Sequence, residues 1–189
     1  MYFDAESERY IKITHATDSG AGGFALTVDT RFKLGKQTQC YIGVPFLREA
    51  TPLEYLSRLQ LFNRTFRDLI DVVGVIDKAG KEAIVTSQPR IKGGYADEKQ
   101  VREFMEARGF VMVPNVVAGR RNSVSYFREA DRVAVFDTHG QNFLVSGART
   151  GPIDALIITA DEELTAFLSM PAEERRKEIG QWTSQMHGF

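Results

Sequence analysis

Val133-Ala134-Val135-Phe136-Asp137-Thr138-His139-Gly140-Gln141-Asn142-Phe143-Leu144-Val145 reads as a strand, a polar loop and a second strand. The apolar runs on either side deliver Asp137 and Asn142 to strand ends, where a sheet edge can border a cleft. Gly151-Pro152-Ile153-Asp154 repeats the arrangement a little further on, with a second acid after a short apolar stretch. Carboxylates and an amide oxygen are hard donors, suited to magnesium, which binds a few protein oxygens together with phosphate and water. A further carboxylate can orient a hydroxyl and accept its proton. Phosphoryl transfer needs little beyond such positioning and neutralised charge. The competing reading is that these two acids and the amide cap turns.

Working upstream, Arg9-Tyr10-Ile11-Lys12-Ile13-Thr14 has the aromatic and β-branched character of a strand, as do residues 24–28 and 39–44, with a connecting loop over 30–36. Gly20, Gly22 and Gly23 follow the first strand, and a hairpin turn is favoured there over a phosphate cradle because no helix follows. Thr51-Pro52-Leu53-Glu54 is a helix start, with an N-cap, a proline at the first helical position and a capping-box acid. Leu53, Leu56, Leu59 and Phe62 continue it at helical spacing to about residue 67. Strands over 72–76 and 83–86 precede Pro89 and the Gly93-Gly94 pair, which break the pattern. The expected organisation is a small strand-rich unit over 1–90, containing the 51–67 helix, and a second unit over 91–189. The second unit should hold a helix over 97–108, strands over 110–113, 123–127 and 132–136, and helices over 161–168 and 171–185.

The 189 residues include 24 Lys plus Arg against 25 Asp plus Glu, so the balance gives no electrostatic footprint for nucleic acid or an anionic membrane. Arg120-Arg121 and Arg175-Arg176-Lys177 read as solvated surface. The single cysteine, Cys40, sits in an apolar stretch and reads as a packed side chain. No signal-peptide pattern and no long apolar run is seen, so a cytoplasmic location is expected.

The spacing Asp137-x-x-x-x-Asn142 resembles that of the protein-kinase catalytic loop, and Asp154 lies twelve residues after Asn142, close to the metal-binding Asp of that fold. With Thr51-Pro52-Leu53-Glu54-Tyr55-Leu56, Val85-Thr86-Ser87-Gln88-Pro89 and Pro152-Ile153-Asp154, the chain is similar to the compact kinase-like domains of phage and mobile-element polyvalent proteins over most of residues 2–158. The resemblance implies a pared-down, two-lobed α+β fold and a phosphotransferase using ATP and Mg2+, with a protein as one possible substrate. Asp137 would be the catalytic carboxylate, and Asn142 and Asp154 the metal ligands. Lys12 matches the strand lysine that grips the nucleotide phosphates, and Glu54 is the acid on the helix that would pair with it. Residues 85–89, Gln88 among them, would form the hinge beside the adenine.

The chain departs from the pattern in four places. Eleven residues precede Lys12, too few for a Gly-rich loop with both its strands, so either an upstream piece carries that loop or the nucleotide is held without it. His139 follows Asp137 instead of preceding it, Asp154-Ala155-Leu156 stands where Asp-Phe-Gly is usual, and strands replace the long helix before the catalytic loop. His139 is read as ordering the loop, because no other His or Cys lies at ligand spacing. Trp182 is read as a packing anchor. The alternative to an active kinase is therefore a catalytically inactive kinase-like module that binds a nucleotide or a protein.

Overall fold

A computed structural model of the chain describes residues 2–14, 26–34, 38–77, 80, 82–120, 123–147 and 149–186. The glycines at 20–23 and the side chains of Cys40 and Trp182 lie outside what is described. In chain order the first elements are β1 (Tyr2–Asp4), β2 (Arg9–Ile13), β3 (Leu26–Leu34), β4 (Thr38–Glu49), α1 (Pro52–Phe66), β5 (Asp71–Asp77), β6 (Glu82–Pro89) and β7 (Gly94–Tyr95). They are followed by α2 (Glu98–Glu106), β8 (Val111–Val113), β9 (Val124–Arg128), β10 (Val133–Thr138), β11 (Phe143–Ser146), β12 (Arg149–Pro152), β13 (Leu156–Thr159), α3 (Glu162–Ser169) and α4 (Ala172–Met186). The result is an α+β architecture of small antiparallel sheets with four α-helices among the described residues.

Helix α1 starts where its capping chemistry dictates. The Thr51 N–H donates to Glu54 Oε2 at 2.8 Å, and the Glu54 N–H donates back to the Thr51 hydroxyl at 3.3 Å. The helix stops at Arg67, whose φ of 56° is left-handed. One sheet has the order β1-β2-β6-β5 and draws every strand from residues 2–89. The segment expected as a loop over 30–36 is strand as far as Leu34, where β3 pairs with β4 in a long hairpin.

The second sheet, β13-β10-β9-β8, contributes to two core clusters. Side chains alternate between its faces as strand geometry requires. Val133 and Val135 of β10 join one core cluster, with Phe62 and Phe66 of α1, Phe104 and Met105 of α2 and Phe143 of β11. Ala134 and Phe136 join the other, with Val28 of the β3–β4 hairpin and Leu164, Phe167 and Leu168 of α3. Residues 133 to 136 are wholly buried. Because α1 and the hairpin cover the second sheet, elements from the first half of the sequence build the core that carries β10.

A third sheet, β12-β11-β7, lies beside it. β7 pairs Tyr95 with Leu144 and Gly94 with Val145. The connection from β6 approaches so closely that a Cβ on Gly93 would lie 1.8 Å from the Val145 carbonyl oxygen, a backbone atom that cannot swing away. Gly93→Ala should therefore lower the unfolding free energy by about 1–3 kcal/mol in a urea titration. Gly74→Ala, where the added Cβ meets nothing within 4 Å, should change it by less than about 0.5 kcal/mol.

Candidate functional site

Asp137 owes its position to a bulge. β10 and β9 pair Val135 with Tyr126 and then Thr138 with Val124, three steps along one strand against two along the other. Asp137, within the bulge, has a φ of 56°, left-handed backbone that Asp adopts more readily than most residues. Its N–H, displaced from the ladder, donates to the Ala118 carbonyl at 3.1 Å. Its Oδ1 accepts the Arg120 N–H at 2.7 Å. That approach depends on Gly119, at φ 110°, where a Cβ would lie 2.4 Å from Asp137 Oδ1.

Asn142 closes the loop. Its Nδ2 donates to the Asp137 carbonyl at 2.7 Å and to Asp137 Oδ2 at 3.1 Å. Both neighbours are acceptors, so the amide nitrogen must face them and Oδ1 faces away. The His139 N–H donates to the Asp137 carbonyl at 3.1 Å, and its Nε2 lies 3.7 Å from Asp137 Oδ1. The Asn142 N–H returns to the His139 carbonyl at 2.8 Å.

The β11–β12 hairpin then brings Asp154 alongside. Phe143 pairs with Pro152, and beyond that pair the Ile153 N–H donates to the Asn142 carbonyl at 2.7 Å. Asp154 is the next residue. It is exposed, and its carboxylate accepts no hydrogen bond from the described residues. Lys12 reaches the same spot from the first sheet, with Nζ donating to the Ile153 carbonyl at 2.7 Å. Burial pulls the Lys12 ammonium below its ordinary range, while Asp154 and Asp68 oppose that shift and Arg58 adds to it. A cavity of about 50 Å³ is lined by Lys12, Tyr55, Arg58, Phe62, Thr86 and Asp154. Hydrogen bonds thus run from Asp137 through Asn142 and Ile153 to Lys12, and Asp154, next in the chain, lines a cavity with Lys12.

Glu54 and Gln88 are not part of that set. The expected Glu54–Lys12 pair is replaced by a bidentate pair with Arg48 of β4, at 2.5 and 3.0 Å, and by the capping box. The Arg48 bonds hold the Glu54 carboxyl down at about 2; burial opposes them and Thr51 assists. Gln88 is 2% exposed, and its amide donates to Asp68. The expected hinge over 85–89 is strand, with β6 paired to β2 as far as Pro89 and to β5 as far as Ser87. The strand ends at Pro89, so the connection begins at Arg90. Arg58 was missed in the sequence, although its spacing of four from Glu54 puts the two on one helix face. Arg120 was visible only as surface charge, because its contribution is a backbone N–H.

Among the described residues no group of three or more His, Cys, Asp or Glu is placed to hold a metal ion. The Asp154 carboxylate and Asn142 Oδ1 offer a partial oxygen set of the kind magnesium completes with phosphate and water, so the residues fit that ion. No helix among the described residues is long and apolar enough to cross a membrane. A family model described as a serine/threonine/tyrosine kinase found in polyvalent proteins matches residues 45–161. No curated protein and no solved structure matches the chain.

The Glu54 clasp has a pH signature. A carboxyl whose folded pKa is about 2, below its unfolded value, contributes stability above the unfolded pKa and loses it as pH falls through the folded one. Glu54 is about a third exposed, so Glu54→Gln should cost only about 1 kcal/mol at neutral pH. In urea titrations that difference should stay constant down to a pH of about 4.5 and shrink as pH falls towards about 2. A pH-independent difference would show that the Arg48 pair contributes nothing.

Proposed function

The chain belongs to the serine/threonine/tyrosine kinases found in polyvalent proteins, and on that premise we propose that it transfers the γ-phosphoryl group of ATP to a hydroxyl of a protein substrate. The observation that supports this reading is the continuous chain of contacts from Asp137 through Asn142 and Ile153 to Lys12. It runs from the Asp137 carboxylate to the half-buried Lys12 ammonium across three sheets, with Asp154 next in the chain after Ile153.

In this reading Asp137 orients the acceptor hydroxyl. As the acceptor oxygen bonds to the γ-phosphorus and the bond to the β,γ-bridging oxygen breaks, Asp137 takes the hydroxyl proton and ADP leaves. Asp137 is held for that task by the Arg120 N–H on one oxygen and the Asn142 amide on the other, which fix its direction without neutralising it. Asp154 and Asn142 Oδ1 would hold magnesium, which supplies charge neutralisation on the phosphates. Lys12 would grip the phosphates as a point charge. The site would lie between two units, residues 1–90 and 91–189, as in the lobes of a kinase, and the protein would act in the cytoplasm.

The second reading is a module that binds nucleotide without turnover. The engagement of Glu54 by Arg48 favours it, because Lys12 then lacks the helix acid that the kinase pattern pairs with it.

The two readings separate in one set of variants. Calorimetric titration of ATP should show binding that depends on magnesium and weakens in Asp154→Asn. Asp137→Asn should bind nearly as the parent does but lose about 10²-fold or more of any phosphotransfer. Binding without phosphotransfer in the parent protein supports the inactive module. If all three of Asp137→Asn, Asn142→Ala and Asp154→Asn melt early and none alters ATP binding, the residues only cap turns and the kinase site is wrong.

A further inference from the structure

A cavity of about 370 Å³ opens between the β7–α2 connection, β9 and the loop that follows Asp137. Buried Ala96, Val101 and Tyr126 and half-buried Val124 give it apolar walls, and exposed Tyr95 adds a second aromatic ring. Two of its polar lining residues touch Asp137. The Arg120 N–H donates to Asp137 Oδ1 at 2.7 Å, and His139 Nε2 lies 3.7 Å from the same oxygen. Asn142 holds the other oxygen and leads through Ile153 towards Asp154. The cavity and the proposed metal ligands therefore meet Asp137 at different oxygens.

We propose that this cavity receives an uncharged aromatic side chain of the substrate protein, from a residue close in sequence to the one whose hydroxyl Asp137 orients. The inference rests on the phosphotransfer reading above and adds to it the residue by which a substrate is selected. Asp137 borders the cavity but does not line it. A side chain seated there is thus a neighbour of the acceptor, and consecutive residues of an extended chain lie about 3.3–3.8 Å apart, close enough to serve both places.

The lining sets the chemistry of the occupant. Apolar walls reward burial of apolar surface, and the rings of Tyr95 and Tyr126 offer faces and edges against which another ring can pack. The two charged lining residues, Glu98 and Arg120, have opposite signs, and the Arg120 guanidinium already donates to Gln141 Oε1. Neither an acidic nor a basic side chain is favoured over a neutral one. The shape is also preformed. A Cβ on Gly140 would lie 2.2 Å from the Ala96 carbonyl oxygen, and the Ala96 N–H donates to the Phe143 carbonyl at 3.0 Å. The loop after Asp137 and the approach to α2 are held against each other, so little ordering is left for the substrate to bring about.

The test uses Gly-Ala peptides with one serine, in which a single phenylalanine steps through the flanking positions. Each is titrated calorimetrically without ATP into the parent chain, Tyr95→Ala and Val124→Phe, with a melting curve for each protein, and then assayed for phosphotransfer. At one or two positions the phenylalanine should tighten binding by about 10-fold or more over the peptide without it, the worth of burying such a side chain. Tyr95→Ala, which alters an exposed side chain, and Val124→Phe, which fills the cavity, should each remove most of that gain and leave the phenylalanine-free peptide unaffected. In the phosphotransfer assay the same loss should appear in KM and not in kcat. If Val124→Phe melts early, Tyr95→Ala decides. No phenylalanine preference in the parent chain, or one that both variants keep, overturns the proposal. So does displacement of the peptide by adenosine, which would make the cavity the seat of the base. A preference in binding that the variants abolish, without phosphotransfer to any peptide, supports the cavity's assignment and counts against the kinase reading alone.

Discussion

The amide of Asn142 bonded to the carbonyl and carboxylate of Asp137 is the contact on which the rest of the site depends. Asp137 lies in a bulge with left-handed backbone, a conformation that persists only where its surroundings impose it. The surroundings here are wholly buried strand on one side, where Val135 and Phe136 anchor β10 in two different cores. On the other side the Asn142 side chain spans the loop and holds its two ends together. The same residue's backbone carbonyl takes the Ile153 N–H and so sets where Asp154 emerges. One asparagine thereby aligns both carboxylates and leaves its own oxygen facing away from the loop.

Much of the local structure could be read from the sequence because local chemistry decided it. Thr51, Pro52 and Glu54 start α1 through bonds within one turn, and the alternation in Val133-Ala134-Val135-Phe136 reflects the two faces of β10. Strand limits were less legible where pairing over distance decided them. Residues 30–34 look like a loop, yet the partner strand β4 draws them into a hairpin. The hairpin's packing on α3 and the second sheet was equally hidden, since nothing near Val28 or Leu47 in sequence points to Phe167.

The site divides in the same way. The spacing from Asp137 to Asn142 and on to Asp154 was legible, because a loop and a hairpin fix it over a short stretch of chain. Lys12 could be placed on a strand, and its contact with Ile153 follows from where that strand pairs. Glu54 and Gln88 were read for the chemistry they could do, but each meets a stronger local partner. Arg48 lies just before the helix and reaches the Glu54 carboxylate bidentately, and Asp68 satisfies the buried amide of Gln88. Arg58 carries the opposite charge to the one a kinase pattern leads a reader to seek on α1, and only the packing of that helix against Lys12 and Asp154 brings it into view.

In the proposed reading Asp137, Asn142, Asp154 and Lys12 form a single nucleotide–metal site. A crystal structure of the chain with magnesium and a non-hydrolysable ATP analogue tests it most directly. Phosphates should lie beside Lys12 Nζ, with the metal touching the Asp154 carboxylate and Asn142 Oδ1 while the Asn142 amide keeps its bonds to Asp137. Nucleotide bound instead in the larger cavity between α1 and β13, which Leu53, Ile157 and Asp161 line, with Asp154 touching neither metal nor phosphate, would contradict it.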